Sequence, residues 1–204
     1  MSIATYAELQ TAIANFLNRD DLTSVIPDFI ALCEAQINRD VRDYRMIAQT
    51  NLTLDGKTES LPADWVETIR LNITTGETAE VELASRAELA GRRQERADAS
   101  GRPMLFAHVG TSIELFPTPD GSYTGELTYY QKVPDLATNS TNWLLTAAPD
   151  IYLYGSLVHS APYLHEDNRA AMWAAMYQAS VEALKAESRR AQYSGPLRLR
   201  TRTQ

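Results

Sequence analysis

The feature that most constrains this fold is the apolar segment Trp143–Gln192 near the end of the chain. Pro149 suits the first position of a helix, where its missing N–H is not needed, and Asp150 places a negative charge at the positive end of the helix dipole. Apolar residues follow at helical spacing until Pro162, which disfavours helical geometry in the residue before it. The pattern therefore predicts a helix over residues 149–161.

A second helix is predicted over residues 166–191, and it opens with Glu166 and Asp167 in the same acidic way. Its apolar stripe consists of Ala170, Trp173, Tyr177, Val181 and Leu184. Alanines beside this stripe allow another helix or a sheet to approach closely. The two segments predict a helical hairpin that is the largest apolar element of the chain, and they place Trp173 in its core.

Two further helices are predicted near the N-terminus. Thr5 and Glu8 have the spacing of a capping box, which predicts a helix over residues 5–18. Apolar residues at helical spacing predict another over residues 27–42. Cys33 lies in this second stripe and is the only cysteine, so we interpret it as a small buried hydrophobe, and the chain has no internal disulfide.

The middle of the chain, residues 48–133, has the alternating pattern of strands. The predicted strands are Thr50–Leu54, Val66–Thr74, Val81–Leu83, Met104–Val109, Ser112–Phe116 and Tyr123–Lys132, with a short charged helix at Ser85–Gln94. Pro119-Asp120-Gly121 is typical of a turn, because Pro presets φ and Gly tolerates positive φ. It predicts a hairpin between the last two strands, in which Leu127 and Tyr129 share a face.

The order of elements is two helices, a run of strands and two more helices, which indicates the α+β class. We predict a helical bundle built from the N- and C-terminal helices, with an inserted antiparallel β-rich region. Residues 1–192 are expected to form a single domain. Residues 193–204 lack any helical pattern and are expected to form an extended C-terminal tail.

The charge of the chain restricts its partners. Its formal net charge is −7 and its pI is near 5.0, which argues against a general nucleic-acid-binding surface and against anionic membranes. No apolar stretch is long enough to span a bilayer. The N-terminus has no basic region followed by an apolar run, so we expect no signal peptide.

The residues suited to catalysis do not form a known motif. His159 and His165 are six residues apart, which is not the spacing that zinc sites favour. Gly155-Ser156 lacks the rest of a nucleophile elbow, and the chain has no phosphate-binding loop. We predict no metal, no cofactor and no enzymatic activity. Many carboxylates are present, but sequence does not give the separation that a glycosidase pair requires, so hydrolysis stays an alternative.

Several runs of residues together resemble one family. They are Leu115–Gly121, Leu127–Tyr130, Asn142–Leu145 and Pro149–Gly155, and Leu61–Trp65 also fits. Their order and spacing are similar to those of the head–tail adaptor proteins of tailed bacteriophages, the group that includes tail tubular A-like proteins. The resemblance covers most of residues 5–190 and is weakest over residues 75–103.

The resemblance implies a structural virion protein of the neck, made in the host cytoplasm and located at the head–tail interface. Its partners would be the portal protein, a tail tube, nozzle or stopper protein, and further copies of itself in a ring of typically twelve. DNA would pass through the lumen during ejection without specific binding, and no membrane would be involved. The alternatives are a virion-associated peptidoglycan hydrolase and a neighbouring head-completion or stopper protein.

The acidic helices have two interpretations. They suit a lumen that avoids contact with phosphates, and they equally suit a monomer that charge keeps soluble and unassembled. We expect the isolated chain to be a monomer or small oligomer that forms a ring mainly on the portal, since a ring requires heterologous contacts that close.

The C-terminal tail supplies the candidate portal-binding residues. They are Tyr193, Leu197, Arg198, Leu199, Arg200 and Arg202. Leucines and arginines alternate with the period of an extended strand, and the segment is cationic on an acidic chain. For an arbitrary protein the default interpretation is a frayed terminus. The family resemblance implies instead that the C-terminus docks on the portal. We therefore predict that the segment becomes ordered in a portal groove, where an added strand at a sheet edge is one way to bind.

Overall fold

The computed structural model describes residues 3–96, 99–164 and 167–192. The chain separates into two compact units. One, the helical unit, comprises the described residues of Met1–Arg45 and Val133–Gln204; the other, the sheet unit, is Met46–Lys132. The α+β class is confirmed. The single domain over residues 1–192 stays a prediction, and the predicted tail, residues 193–204, lies outside the described residues.

The helices are α1 (Tyr6–Leu17), α2 (Ile26–Asp40), α3 (Arg86–Glu95), α4 (Leu136–Asn139), α5 (Trp143–Ala147), α6 (Pro149–Leu164) and α7 (Asp167–Gln192). Of these, α3 belongs to the sheet unit and the others to the helical unit. The strands are β1 (Ile47–Leu54), β2 (Thr58–Ser60), β3 (Trp65–Ile73), β4 (Ala79–Leu83), β5 (Leu105–Val109), β6 (Ser112–Phe116) and β7 (Tyr123–Gln131).

Helix α1 begins with the predicted capping box. The Thr5 hydroxyl accepts from the Glu8 N–H at 3.3 Å, and the Glu8 carboxylate accepts from the Thr5 N–H at 3.0 Å. Two of the four otherwise unpaired N–H groups of the first turn are thereby satisfied. The helix ends at Asn18, which has the left-handed conformation (φ 52°) that asparagine tolerates.

Four of the five residues in the predicted stripe of α7 are buried, and Ala170 is half-buried. Trp173, Tyr177, Val181 and Leu184 are each at most 4% exposed. Two apolar residues of the N-terminal helices lie outside the buried stripes, because Phe16 of α1 is 50% exposed and Leu32 of α2 is 52% exposed. Both helices bury enough apolar surface on the opposite side to hold their position, so periodicity alone overestimates the width of the buried face.

Helix α6 corrects the predicted boundary at Ala161. The helix continues through Pro162 to Leu164, three residues past the predicted end. A proline in a helix removes one hydrogen bond and crowds the carbonyl four residues earlier. Because Pro162 lies in the last described turn, little of the helix depends on the bond that it removes.

The strands of the sheet unit have the order β1-β7-β3-β4-β5-β6-β2. Every pairing is antiparallel except β4 with β5, where Glu82 and Leu83 pair with Leu105 and Phe106 in parallel. The eight residues of β1 pair with β7 without a register shift. The short strand β2 lies at the other edge, beside β6.

The predicted hairpin between Ser112–Phe116 and Tyr123–Lys132 is wrong. Both strands exist, but β6 pairs with β5 and β2, whereas β7 pairs with β1 and β3. The loop between β5 and β6 has two residues, and Gly110 has the positive φ (62°) that a type II′ turn requires at its first position. Because β5 and β2 occupy both edges of β6, the segment with the Pro-Asp-Gly turn connects β6 to a strand, β7, that is not its neighbour in the sheet.

The larger of two buried clusters in the sheet unit lies on one face of the strands, while Leu89 of α3 packs with Ala107 and Phe116 in a smaller cluster. Leu71, Ile73, Leu127 and Tyr129 are buried in the larger cluster, and Tyr123 packs against them. Ile69 of β3 does not belong to this cluster, since its side chain is 44% exposed. A register shift between Thr68 and Arg70 interrupts the alternation of β3 at that point.

Candidate functional site

The predicted portal-binding residues lie outside the part of the chain that the structure describes. They are Tyr193, Leu197, Arg198, Leu199, Arg200 and Arg202. The structure does describe the helix that precedes them, to its last residue Gln192. The candidate site is therefore built from the end of α7 and from the helices that hold it.

The last turns of α7 are tied to the segment that follows α2. The Tyr44 N–H donates to the Ser188 hydroxyl at 3.0 Å, and Ser188 is buried. Arg45 donates to the Glu187 carboxylate at 2.5 Å, and its guanidinium lies over the ring of Trp143 at 5.3 Å. The last turns of α7 are thus held by a hydrogen bond and an ion pair, and the ring contact with Trp143 positions the Arg45 side chain that makes the ion pair.

A buried carboxylate supports this contact. Asp43 is 1% exposed, and its Oδ1 accepts from the Arg45 N–H at 2.9 Å. The Arg45 Nε lies 3.5 Å from the same oxygen. Asp43 and Arg45 thereby hold the turn before the sheet unit in one conformation. Sequence reasoning missed this cluster, although the run Asp43-Tyr44-Arg45 carries an acid, an aromatic ring and a base in three residues.

Three helices of the same unit meet at Gly155. A Cβ built at Gly155 of α6 would lie 2.4 Å from the Sγ of Cys33 on α2 and 3.2 Å from ring atoms of Tyr177 on α7. Glycine is therefore what allows these helices to approach closely at this point. Burial raises the pKa of the Cys33 thiol to about 12, so it stays protonated and unreactive at neutral pH.

Polar contacts orient the same three helices around this point. The Tyr177 hydroxyl donates to the Asp40 carboxylate at 3.2 Å, and burial is the main cause that raises the tyrosine pKa. Gln36 and His159 are 2.9 Å apart between α2 and α6. Burial lowers the pKa of His159, which favours the neutral imidazole. Both contacts fix the rotation of a helix about its own axis.

Asn142 caps α5 and connects it to α6 through Tyr152. Its Oδ1 accepts from the Leu145 N–H at 2.8 Å and caps α5, while its Nδ2 donates to the Tyr152 hydroxyl and the Pro134 carbonyl, each at 2.7 Å. Capping satisfies a backbone donor that would otherwise be unpaired. The residue lies within one of the runs that resemble head–tail adaptors, and its contacts give that run a structural explanation.

The outward side of α7 is apolar as well. Between Arg169 and Glu182 every residue of the helix is uncharged. Met172 is 50% exposed and Met176 is 39% exposed, and the neighbouring exposed residues are Ala171, Ala175, Gln178 and Ala179. A solvated helix face normally carries charge. Sequence reasoning identified the alanines beside the stripe as a place where another element could approach, but it did not include the two methionines in that surface.

The next residues to locate are the histidines and the serine that were considered as candidates for catalysis. His165 lies outside the described residues, while His108 belongs to the sheet unit, where it packs against Trp65 with ring centroids 4.9 Å apart. Ser156 is fully buried inside α6 and is not accessible to a substrate. Within residues 3–96, 99–164 and 167–192, three His, Cys, Asp or Glu side chains do not come together as a metal would require.

The sheet unit has a groove of about 730 Å³ beside α3. Its charged lining residues are Glu80, Glu82, Glu95, Arg92, Arg96 and Arg102. Three carboxylates and three guanidinium groups balance, so the groove has neither the positive charge of a phosphate site nor the carboxylates alone that would suit a hydrolase.

Among the helices described, none has the length and apolarity needed to cross a bilayer.

Comparison with known proteins identifies the family of the chain. No curated protein gave a significant match. The family model described as SU10 adaptor protein matches residues 4–200, nearly the whole chain, including residues 75–103 where the sequence resemblance was weakest. This is a family of structural proteins that act as head–tail adaptors in bacteriophages, and the match does not reach the tail tubular A-like subgroup. The chain belongs to the SU10 adaptor protein family.

Proposed function

We propose that this adaptor forms a ring, typically of twelve copies, beneath the portal protein and joins it to the tail. The family gives the general role, a structural phage adaptor at the head–tail junction. The ring, its place around the DNA exit channel and the kinship with tail tubular A-like proteins are our proposals. The observation that carries them is the outer face of α7, which is uncharged and exposes two methionines although the inner face is already packed.

The ring explains why α7 has two apolar sides. Large exposed apolar patches on soluble proteins mark interaction surfaces, and a subunit in a ring needs one such surface for each neighbour. The net charge of −7 opposes association of free chains, so assembly would begin on the portal. The same charge would keep DNA phosphates from binding the lumen during ejection.

The tail supplies the contact with the portal in this proposal. Arg198, Arg200 and Arg202 are the charged residues of the last twelve, which contain no acid, on a chain that is acidic as a whole. The fixed exit from α7 at Ser188 and Glu187 supports a defined starting point for this segment. Ordering it costs on the order of 1–2 kcal/mol per residue, so contacts with the portal must exceed that free energy.

Deletion of residues 193–204 tests this contact. We expect the shortened chain to keep its melting temperature and to lose most of its affinity for the purified portal protein of the same phage. A matched control, Arg198→Lys with Arg200→Lys and Arg202→Lys, keeps the charge and should retain much of the binding. Equal affinity with and without the tail would contradict the proposal and transfer the interface to the helices.

The hydrolase alternative has a direct assay. A virion-associated peptidoglycan hydrolase would lower the turbidity of purified cell walls, and the adaptor should leave it unchanged. A head-completion or stopper protein would bind the adaptor rather than the portal, so a mass measurement on a mixture with portal separates that alternative.

A further inference from the structure

We infer that the outer face of α7 packs, parallel, on the outer face of α2 of the next copy in the ring. This inference rests on the proposed ring and names the two surfaces that close it. The α7 surface consists of Met172, Met176, Ala179 and Ala183. The α2 surface consists of Asp28, Leu32, Ala35 and Arg39.

The two surfaces cannot cover each other within one copy. Cys33 of α2 and Tyr177 of α7 both point toward Gly155 of α6, where the three helices meet. The exposed residues lie on the opposite side of each helix, and so face away from this junction. On α2 these residues include Ala31, Leu32 and Ala35, and Leu32 is 52% exposed. One copy therefore presents two different exposed faces, as a heterologous contact requires.

The two faces have the same spacing. Met172, Met176, Ala179 and Ala183 follow one another at intervals of four, three and four residues, and so do Asp28, Leu32, Ala35 and Arg39. Side chains at these intervals form one ridge along a helix. The alanines of both ridges let the helix axes approach, while Met176 and Leu32 supply apolar area, and methionine adapts to an irregular partner surface.

Charge selects the relative direction of the helices. In a parallel arrangement the Arg39 guanidinium comes beside Glu182, an exposed carboxylate next to Ala183 that pairs within its own copy with Lys185 at 3.0 Å and Arg189 at 3.8 Å. An antiparallel arrangement would instead bring Asp28 to Glu182 and oppose two carboxylates. An exposed ion pair contributes little free energy but discriminates between orientations. Packing of α7 against a second α7 would oppose two copies of Glu182 in the same way when the helices run parallel.

Disulfide trapping tests the contact directly. Two single variants, Met176→Cys and Leu32→Cys, are mixed on the portal protein and oxidised gently. We expect the mixture to give a covalent dimer that contains one chain of each variant. The native Cys33 is fully buried and does not interfere. Dimers of Met176→Cys with itself, with none of the mixed dimer, would overturn the inference in favour of a symmetric contact.

Blocking variants give a second, independent test. Met176→Glu and Leu32→Glu each place a charge on one face, and neither should form rings on the portal. Mixed together they should form pairs, because each variant retains the face that the other has lost. Phe16→Glu is the matched control, since Phe16 of α1 is as exposed as Met172 but lies outside both faces; it should form rings normally. Rings formed by Met176→Glu, or none formed by Phe16→Glu, would contradict the assignment.

The outcomes separate this inference from the function on which it rests. If the unmodified chain forms no ring on the portal, the proposed function fails. If it forms rings while the cysteine pair gives no mixed dimer, the ring stands and the α7–α2 contact is wrong. Each variant should keep the melting temperature of the unmodified chain, because the substituted side chains are exposed in the single copy.

Discussion

Replacing Gly155 by alanine should destabilise the protein, although helix propensity alone would predict that it stabilises it. Gly155→Ala adds a methyl group 2.4 Å from the Cys33 Sγ and 3.2 Å from two ring atoms of Tyr177. Optimal separations between such atoms are about 3.5–4.0 Å, so the first contact is a severe overlap. Both neighbours are buried, and the Tyr177 hydroxyl is bonded to Asp40, so neither can move away freely.

The magnitude follows from two opposing effects. Replacing a helix-interior glycine with alanine stabilises a protein by about 1 kcal/mol. Overpacking a close-packed core costs about 1–3 kcal/mol, and the overlap here favours the upper part of that range. We therefore expect Gly155→Ala to lower the free energy of unfolding by about 1–2 kcal/mol. For a chain of this length that corresponds to a fall in melting temperature of about 2–8 °C.

A matched glycine provides the control. Gly91 lies inside α3, and a Cβ built on it meets nothing within 4 Å, so Gly91→Ala should raise the free energy of unfolding. Urea unfolding followed by circular dichroism measures both variants. A double-mutant cycle with Cys33→Ala, which removes the sulfur, should recover most of the loss at Gly155. Equal stabilisation by both alanines, or no coupling to Cys33, would refute the packing described at the junction.

Two other perturbations have definite outcomes. Trp173 is 3% exposed, so Trp173→Ala should cost about 3–5 kcal/mol, and an unchanged melting temperature would show that the helix packs differently. Burial lowers the pKa of His108 and His159, so the folded state binds fewer protons than the unfolded chain does. The free energy of unfolding therefore decreases as the pH falls through about 6.5, the ordinary pKa of histidine. Replacing both with glutamine should flatten the decline of stability between about pH 7.5 and about pH 5.5, measured by urea unfolding; an unchanged slope would contradict the shifts.

The helices were predictable because their signals are local. The capping box at Thr5 and the stripe of Trp173 and Tyr177 lie within a few turns of sequence, and the structure contains both. The sheet was not predictable in the same way. Alternation indicated that β6 and β7 are strands, but nothing local to them indicated that each would pair with strands elsewhere in the chain. Pairing depends on competition among all edges.

The candidate site was likewise predictable only where its signals are local in the sequence. Composition alone identified the cationic C-terminal segment. The cluster of Tyr44, Arg45 and Ser188 depends on residues more than 140 positions apart in sequence, and only the folded chain brings them together. The outer face of α7 could have been inferred from the methionines at positions 172 and 176, but periodicity cannot tell which of two apolar sides a helix buries.

The two borders of the sheet differ in a way that limits how molecules can aggregate. Strand β1 presents eight residues without charge, proline or bulge, and among the described residues its ladder partner is β7. Strand β2 has three residues, includes Glu59 and is followed by Pro62. Brevity, charge and proline discourage chance pairing of strands. Among the described strands, β1 is therefore the edge at which pairing with another molecule is least discouraged, and association through this edge alone would end when two β1 strands have met, without growing into a fibre.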